Sequence, residues 1–392
     1  MTPTARLNPP PERSRWALLS LYSAAMVVFS DMYLTQPILP LLSGEFSVLP
    51  ATAGLTVSAV VLLSALASLA YGPLSDSLGR KPVMVGSCAL LAVPTLMAAF
   101  APSFVTLLIC RALQGLCIPG LTAVAVSYLG DLVEPHALGA AVGGWIAANV
   151  TGGLVGRLAS GMITATFGWR AAFACFAVLT LLCALLMALS LPSGPASATG
   201  GWRQAYRGMF SHLGNRRLLG VFLIGGVLFF GFMGIFTYLP YYLTSPPFLL
   251  APGLVAFAYV CYLAGVIVSP LAGRASARHS RRLLISIGLL IAMLGILLTL
   301  IPWLPLIILG LFVLCTGMFT AQAVAPALVN TLAQQAKGGA GALYLMAYYL
   351  GGTLGAVLPG LAWQAAGWPG VTAICLSAFV IALIANWRIS ES

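Results

Sequence analysis

Charge is scarce in this chain, and negative charge scarcest. Of 392 residues, 7 are Asp or Glu, 18 are Lys or Arg and 3 are His. Charged residues make up 6% of the chain, against roughly 25% in a soluble domain. That deficit argues against a protein that faces water on all sides. His136, His212 and His279 are scattered, and the 8 cysteines (88, 110, 117, 175, 183, 261, 315 and 375) form no C-x-x-C pair. No metal-ligand spacing results, and no metal is expected. All the cysteines lie in apolar runs, where the thiol behaves as a small buried hydrophobe. There is no G-x-S-x-G, H-E-x-x-H or phosphate-binding P-loop, which argues against an enzyme. Met1 to Arg15 is polar and Pro-rich, and the first apolar run is full length. A cleaved leader is therefore not expected.

What the chain has in abundance is apolar length. Hydrophobic residues make up 60%, and the mean hydropathy is +1.03. Twelve runs approach the ~20 residues that cross a bilayer core: 16–41, 51–72, 82–101, 104–130, 137–163, 169–191, 216–243, 251–273, 283–301, 304–330, 339–362 and 369–387. They leave no room for a soluble domain. The expected fold class is an all-α membrane protein of twelve transmembrane helices in two six-helix bundles, 1–191 and 216–392. A linker at 192–215 joins them, with a possible short surface helix near Trp202 to Phe210.

The net charge of +11 invites a nucleic-acid partner, but its distribution argues against one. With the N-terminus in the cytoplasm, Arg6, Arg13, Arg15, Arg80, Lys81, Arg203, Arg207, Arg216, Arg217, Arg274, Arg278, Arg281, Arg282, Lys337 and Arg388 all fall on the inside. Those are 15 of the 18 basic residues; Arg170 falls outside, and Arg111 and Arg157 fall within runs. The positive-inside rule thus puts both termini in the cytoplasm of a multi-pass protein in the cell (inner) membrane. The expected partners are the lipid bilayer and a small-molecule substrate, with no nucleic acid.

Between the second and third runs stands Gly72-Pro73-Leu74-Ser75-Asp76-Ser77-Leu78-Gly79-Arg80-Lys81-Pro82. It holds an acid and two bases at a membrane face. Gly79 suits a positive-φ turn, and Pro82 tolerates the first turn of a helix. The stretch resembles the loop after the second helix of the major facilitator superfamily, written G-x-L-a-D-r-x-G-r-k. Cys110-Arg111-Ala112-Leu113-Gln114-Gly115 resembles the family's R-x-x-q-G motif. The resemblance implies a cytoplasmic latch of Gly72, Asp76, Gly79, Arg80, Lys81 and Asp131. It implies no cofactor beyond a proton gradient, and alternating access between two pseudo-symmetric bundles. The drug–proton antiporter branch looks nearest, although Gly152-Gly153 meets that branch's proline-containing motif only loosely.

The halves repeat at an offset near 200. Gly152-Gly153-Leu154-Val155-Gly156 matches Gly351-Gly352-Thr353-Leu354-Gly355, Gly168-Trp169 matches Gly367-Trp368, and Pro73-Leu74 matches Pro270-Leu271. The second loop copy has Gly273 where Asp76 stands in the first.

A charge at bilayer depth costs roughly 2.5–3.5 kcal/mol on insertion scales, which makes it a functional candidate. Three lie deep in runs: Asp31, Arg111 and Arg157. The functional reading is that Asp31 exchanges a proton and a substrate beside the two arginines. The alternatives are an Asp31–Arg pair that only holds helices together, and an Arg157 that snorkels to the interface. The other candidates for the cavity lining are Tyr33, Gln36 and Asn149 in the first half and Tyr238, Gln322, Tyr344 and Tyr348 in the second. Such a lining suits an amphipathic organic compound. Gln36-Pro37-Ile38-Leu39-Pro40 and Tyr238-Leu239-Pro240 are each expected to break the end of a helix. The reading is a secondary transporter, a proton-coupled exporter of a drug-like compound and a monomer. An organic-anion or metabolite exporter is the alternative, and a membrane-embedded enzyme or receptor a remote one.

Overall fold

A computed structural model describes residues 11–193, 209–276, 278–333 and 337–388. The surface helix expected near Trp202 lies outside the described residues up to position 208. Among the described residues all regular structure is helical. The elements of the first half are α1 (Pro11–Tyr33), α2 (Leu39–Phe46), α3 (Pro50–Leu78), α4 (Arg80–Ala99), α5 (Phe104–Cys117), α6 (Pro119–Thr122), α7 (Ala125–Leu132), α8 (Pro135–Phe167) and α9 (Trp169–Ser190). Those of the second half are α10 (Arg216–Thr244), α11 (Pro252–Phe257), α12 (Leu263–Ala275), α13 (Arg281–Leu298), α14 (Leu304–Leu332) and α15 (Lys337–Arg388).

Among the described residues, 11 helical runs are long and apolar enough to cross a membrane. The last, Gly339–Arg388, has 50 residues, or about 75 Å at 1.5 Å per residue. That is more than twice a bilayer core of about 30 Å. It bends at Ala366 (φ −145°) and Gly367 (φ 60°), so it supplies two crossings and brings the total to the twelve expected.

The internal repeat is a repeat of packing. An ideal Cβ at Gly152 would stand 2.3 Å from the Met26 carbonyl oxygen, and one at Gly156 would stand 2.3 Å from Ser30 Cα. In the second half, Gly351 approaches the Gly226 oxygen to 1.8 Å and Gly355 the Phe230 oxygen to 2.3 Å by the same measure. The two halves share a matching crossing, α1 on α8 and α10 on α15, where only glycine lets two backbones meet, and α13 and α14 cross as closely at Gly295 and Gly317. The Gly-Trp pair repeats too. Gly168 (φ 83°) and Gly367 (φ 60°) turn the chain in the left-handed region, and Trp169 and Trp368 behind them are both buried.

Two expectations change. The turn in 72–82 falls at Gly79 (φ 90°), as expected, but is shorter than the polar stretch suggests: α3 runs to Leu78, α4 starts at Arg80, and Gly79 alone separates them. The prolines also behave differently from each other. Pro37 lies in a 3₁₀ turn (Gln36–Ile38) that ends α1, as expected. Pro240 instead lies inside α10, which continues to Thr244. Proline removes the N–H that would bond the carbonyl four residues back. That carbonyl, on Phe236, accepts from the buried Tyr259 hydroxyl at 2.9 Å, so the helix continues without an unsatisfied group.

The chain groups into two compact units, one within Met1–Ile38 and Ala59–Gly200, the other within Leu39–Ser58 and Gly201–Ser392. The stretch Leu39–Ser58 precedes the bundle boundary expected at 191, yet its contacts lie with the second unit. Tyr241 on α10 donates to the Leu39 carbonyl at 3.1 Å and is 2.5 Å from the Ser43 hydroxyl. A Cβ on Gly54 would stand 2.2 Å from the Ala356 oxygen. The 3₁₀ break after α1 is the place where the chain leaves the first unit.

Candidate functional site

Asp31 ends α1 in a seam closed off by α4 and α5, with no exposed surface. Both hydrogen-bond donors to its carboxylate are neutral. Thr95 Oγ1 lies 2.8 Å from Oδ2, and Gln114 Nε2 lies 3.4 Å from Oδ1 and 2.8 Å from Thr95 Oγ1. Gln114 thus orders Thr95, and Thr95 donates to the acid.

Arg111, also wholly buried, works on the backbone. Its Nη1 donates to the Asp31 carbonyl at 2.9 Å and to Gln114 Oε1 at 2.6 Å, and its Nη2 donates to the Met32 carbonyl at 2.6 Å. The last carbonyls of a helix have no intrahelical donor and carry the negative end of its dipole. Arg111 therefore caps α1 and fixes the turn from which Asp31 projects. Gln114 stands one turn from Arg111, the spacing at which helical side chains meet.

Arg157 forms a second group one turn further along. It is 1% exposed and does not snorkel. Its Nε donates to Gln36 Oε1 at 2.7 Å, Nη1 donates to the Gly153 carbonyl of its own helix, and its guanidinium lies 4.1 Å above the Tyr33 ring. Ser160, on the same helix, donates to the Leu34 carbonyl at 2.6 Å. The break at the end of α1 is thus bound to α8 by two side chains. A buried guanidinium stacked on an aromatic ring is strongly favoured once desolvated. All three deep charges and two of the first-half lining candidates, Tyr33 and Gln36, belong to this connected region. Asn149 stands apart, half-buried, with its Oδ1 unbonded among the described residues.

In the second unit the candidates divide. Tyr238 is fully buried and donates to the Ala356 carbonyl at 2.8 Å, so its hydroxyl is used as a strut between α10 and α15. Tyr348 stacks on Phe229 with centroids 4.1 Å apart and planes 8° apart. The buried Tyr344 hydroxyl has no partner among the described residues. Gln322 is half-buried on α14.

Of the latch residues, Arg80 and Asp131 form an ion pair, both about a quarter exposed, and Arg80 Nη1 also donates to the Ser127 carbonyl at 2.6 Å. Asp76, on the last turns of α3, is half-buried and makes no ion pair among the described residues. A Cβ on Gly72 would meet nothing within 4 Å. Lys81 is half-buried beside them.

Thr95, Gln114 and Ser160 were missed as site residues. Gln114 and Ser160 each stand three residues after a deep charge, Arg111 and Arg157, and that spacing is the signal that would have found them; nothing in the sequence marks Thr95 in this way.

Comparison with known proteins agrees with this fold. The chain matches the Major Facilitator Superfamily over residues 21–262. It is 31% identical over 375 residues to the uncharacterized MFS-type transporter YybF of Bacillus subtilis (strain 168), covering 95% of this chain and 93% of that protein. It is 35% identical to the inner membrane transport protein YnfM of Escherichia coli (strain K12), covering 95% and 89%. A solved bacterial homolog of the human lysosomal transporter Spinster, in an inward-facing and occupied conformation, superposes with a TM-score of 0.82 at 17% identity, covering 97% of this chain and 96% of that one. The chain belongs to the major facilitator superfamily and is a multi-pass membrane transporter for small molecules.

Proposed function

We propose that this transporter exports a small amphipathic organic compound in exchange for protons, with Asp31 as the proton carrier. The observation that carries the reading is the carboxylate itself: wholly buried in a membrane helix, and hydrogen-bonded by two neutral groups. A buried acid with neutral donors can hold or release a proton without a rigid ion pair being broken first. The seam is shut, so exchange requires a conformation in which α1 and α5 part enough to admit water.

In this reading two six-helix bundles alternate around a midplane site, as parallel repeats do in this class. Both termini are cytoplasmic, the protein works as a monomer in the cell membrane, and no cofactor beyond the proton gradient takes part. Arg80, Lys81, Asp76 and Asp131 close the cytoplasmic side when the outer side is open. Arg157, Tyr33, Gln36 and Asn149 are the candidate substrate-contacting residues of the first half and Gln322, Tyr344 and Tyr348 those of the second, with Tyr238 supporting the latter.

Proteoliposomes with an imposed proton gradient test the coupling. Asp31→Asn is expected to abolish gradient-driven accumulation of a lipophilic cation while leaving its binding in place. Wild-type accumulation by that variant would remove Asp31 from the mechanism.

One observation favours a second reading, an exporter of organic anions. The buried cluster holds two guanidiniums and one carboxylate. Competition by aromatic carboxylates, stronger than by lipophilic cations, would establish it.

A further inference from the structure

The second unit has a small polar cavity of about 220 Å³ between the α12–α13 turn and the end of α14. Ser276, His279, Ser280, Arg281 and Thr331 line it, and Leu328 and Leu332 form an apolar wall. We propose that this cavity binds a phosphate-type anion through Arg281.

Three observations support the assignment. The Arg281 guanidinium is held in place: Nη1 donates to Thr331 Oγ1 at 2.7 Å, and Thr331 in turn donates to the Ala327 carbonyl at 3.0 Å. Its neighbour Arg282 is committed elsewhere, to the Trp387 carbonyl. Second, Arg281 Nε is shut off from solvent with no acceptor among the described residues. A charged donor left dry and unbonded is unfavourable, and a small rotation of the side chain that brings Nε to an oxyanion in the cavity removes that cost by a charge-assisted contact. Third, acids are scarce in the surrounding sequence, where Glu391, outside the described residues, is the single one after Glu134. Residues 135–390 contain twelve Lys and Arg residues and not one Asp or Glu.

The volume lies below the ~300 Å³ at which drug-sized ligand pockets begin, so a headgroup-sized anion fits and a transported compound does not. The apolar wall suits a lipid phosphodiester whose chains continue along α14. A soluble phosphate ester offers the same headgroup chemistry. A clamp of this kind fixes the α12–α13 turn against α14 and makes stability depend on membrane composition.

The test uses the purified full-length transporter and reads thermal unfolding, independent of any transport assay. The probes are short-chain phosphatidylglycerol, short-chain phosphatidylcholine and inorganic phosphate. Phosphatidylglycerol is expected to raise the unfolding temperature of the wild type, and Arg281→Gln is expected to need about tenfold more of it, the loss of one charge-assisted contact. Thr331→Val, which unfastens the guanidinium, weakens binding in the same direction and serves if Arg281→Gln does not fold. Arg274→Gln, outside the cavity, leaves the response unchanged. Stabilisation by phosphatidylglycerol alone identifies a lipid, and equal stabilisation by inorganic phosphate identifies a soluble anion. The proposal is overturned if Arg281→Gln and Thr331→Val respond as the wild type does. It is overturned equally if Arg274→Gln loses as much as Arg281→Gln, which would mean diffuse attraction by basic loops.

Discussion

Replacing Gly156 by alanine adds one methyl group at the α1–α8 crossing and should disable the protein. The new Cβ would stand 2.3 Å from Ser30 Cα, 2.5 Å from Ser30 Cβ and 2.9 Å from the Ser30 oxygen. Non-bonded carbons rest at about 3.5–4.0 Å, so the two backbones must separate by about 1.2–1.7 Å. No flexible side-chain end is available to yield, because the obstacle is main chain. Overpacking of this kind costs about 1–3 kcal/mol. The separation also stretches bonds that depend on the same crossing, Ser30 Oγ to the Gly152 carbonyl (2.8 Å) and Arg157 Nε to Gln36 Oε1 (2.7 Å). The second is charge-assisted, and a bond of that type contributes about 1.5–3 kcal/mol. Asp31 follows Ser30, so the carboxylate moves with its helix. The assay is thermal unfolding in detergent, paired with transport in proteoliposomes. Gly143→Ala is an internal control on the same helix, because a Cβ there meets nothing within 4 Å. It should be neutral, or stabilising by up to about 1 kcal/mol from helix propensity. If Gly156→Ala unfolds and transports like the wild type while Gly143→Ala does too, the crossing is not as close as described.

Other substitutions probe separate parts of the molecule. Tyr238→Phe removes the donor to the Ala356 carbonyl and should cost about 1 kcal/mol in unfolding, with substrate affinity unchanged. A double-mutant cycle on Arg80→Gln and Asp131→Asn should give a coupling below about 1 kcal/mol in stability, because the pair is partly exposed. The same variants should slow turnover more than they weaken substrate binding, and equal losses in both would assign the pair a purely structural role. Asp76→Asn should likewise slow turnover; an unchanged rate would separate Asp76 from the latch.

The sequence showed most clearly what stands out against an apolar background. Asp31, Arg111 and Arg157 are visible as charges in runs that exclude charge, and the structure buries all three. The glycine repeat was visible as a pattern, although its meaning, two matching backbone crossings, is tertiary and leaves no trace in composition. Distance along the chain misled at Leu39–Ser58, where a one-turn 3₁₀ break sends the segment to a different set of neighbours. Proline misled at Pro240, because the Tyr259 hydroxyl that restores the missing bond lies on a separate helix. Thr95 went unnoticed because a neutral polar residue among hydrophobic ones resembles ordinary helix filler until a carboxylate is seen beside it, and Gln114 was visible only as part of a motif.

The glycine crossings act as rivets. Where main chain touches main chain there is no layer of side chains to slide or repack, so α1 cannot shift along α8, nor α10 along α15, without a steric collision. Whatever motion carries cargo through the bilayer has to leave those two joints fastened and take place elsewhere in the molecule.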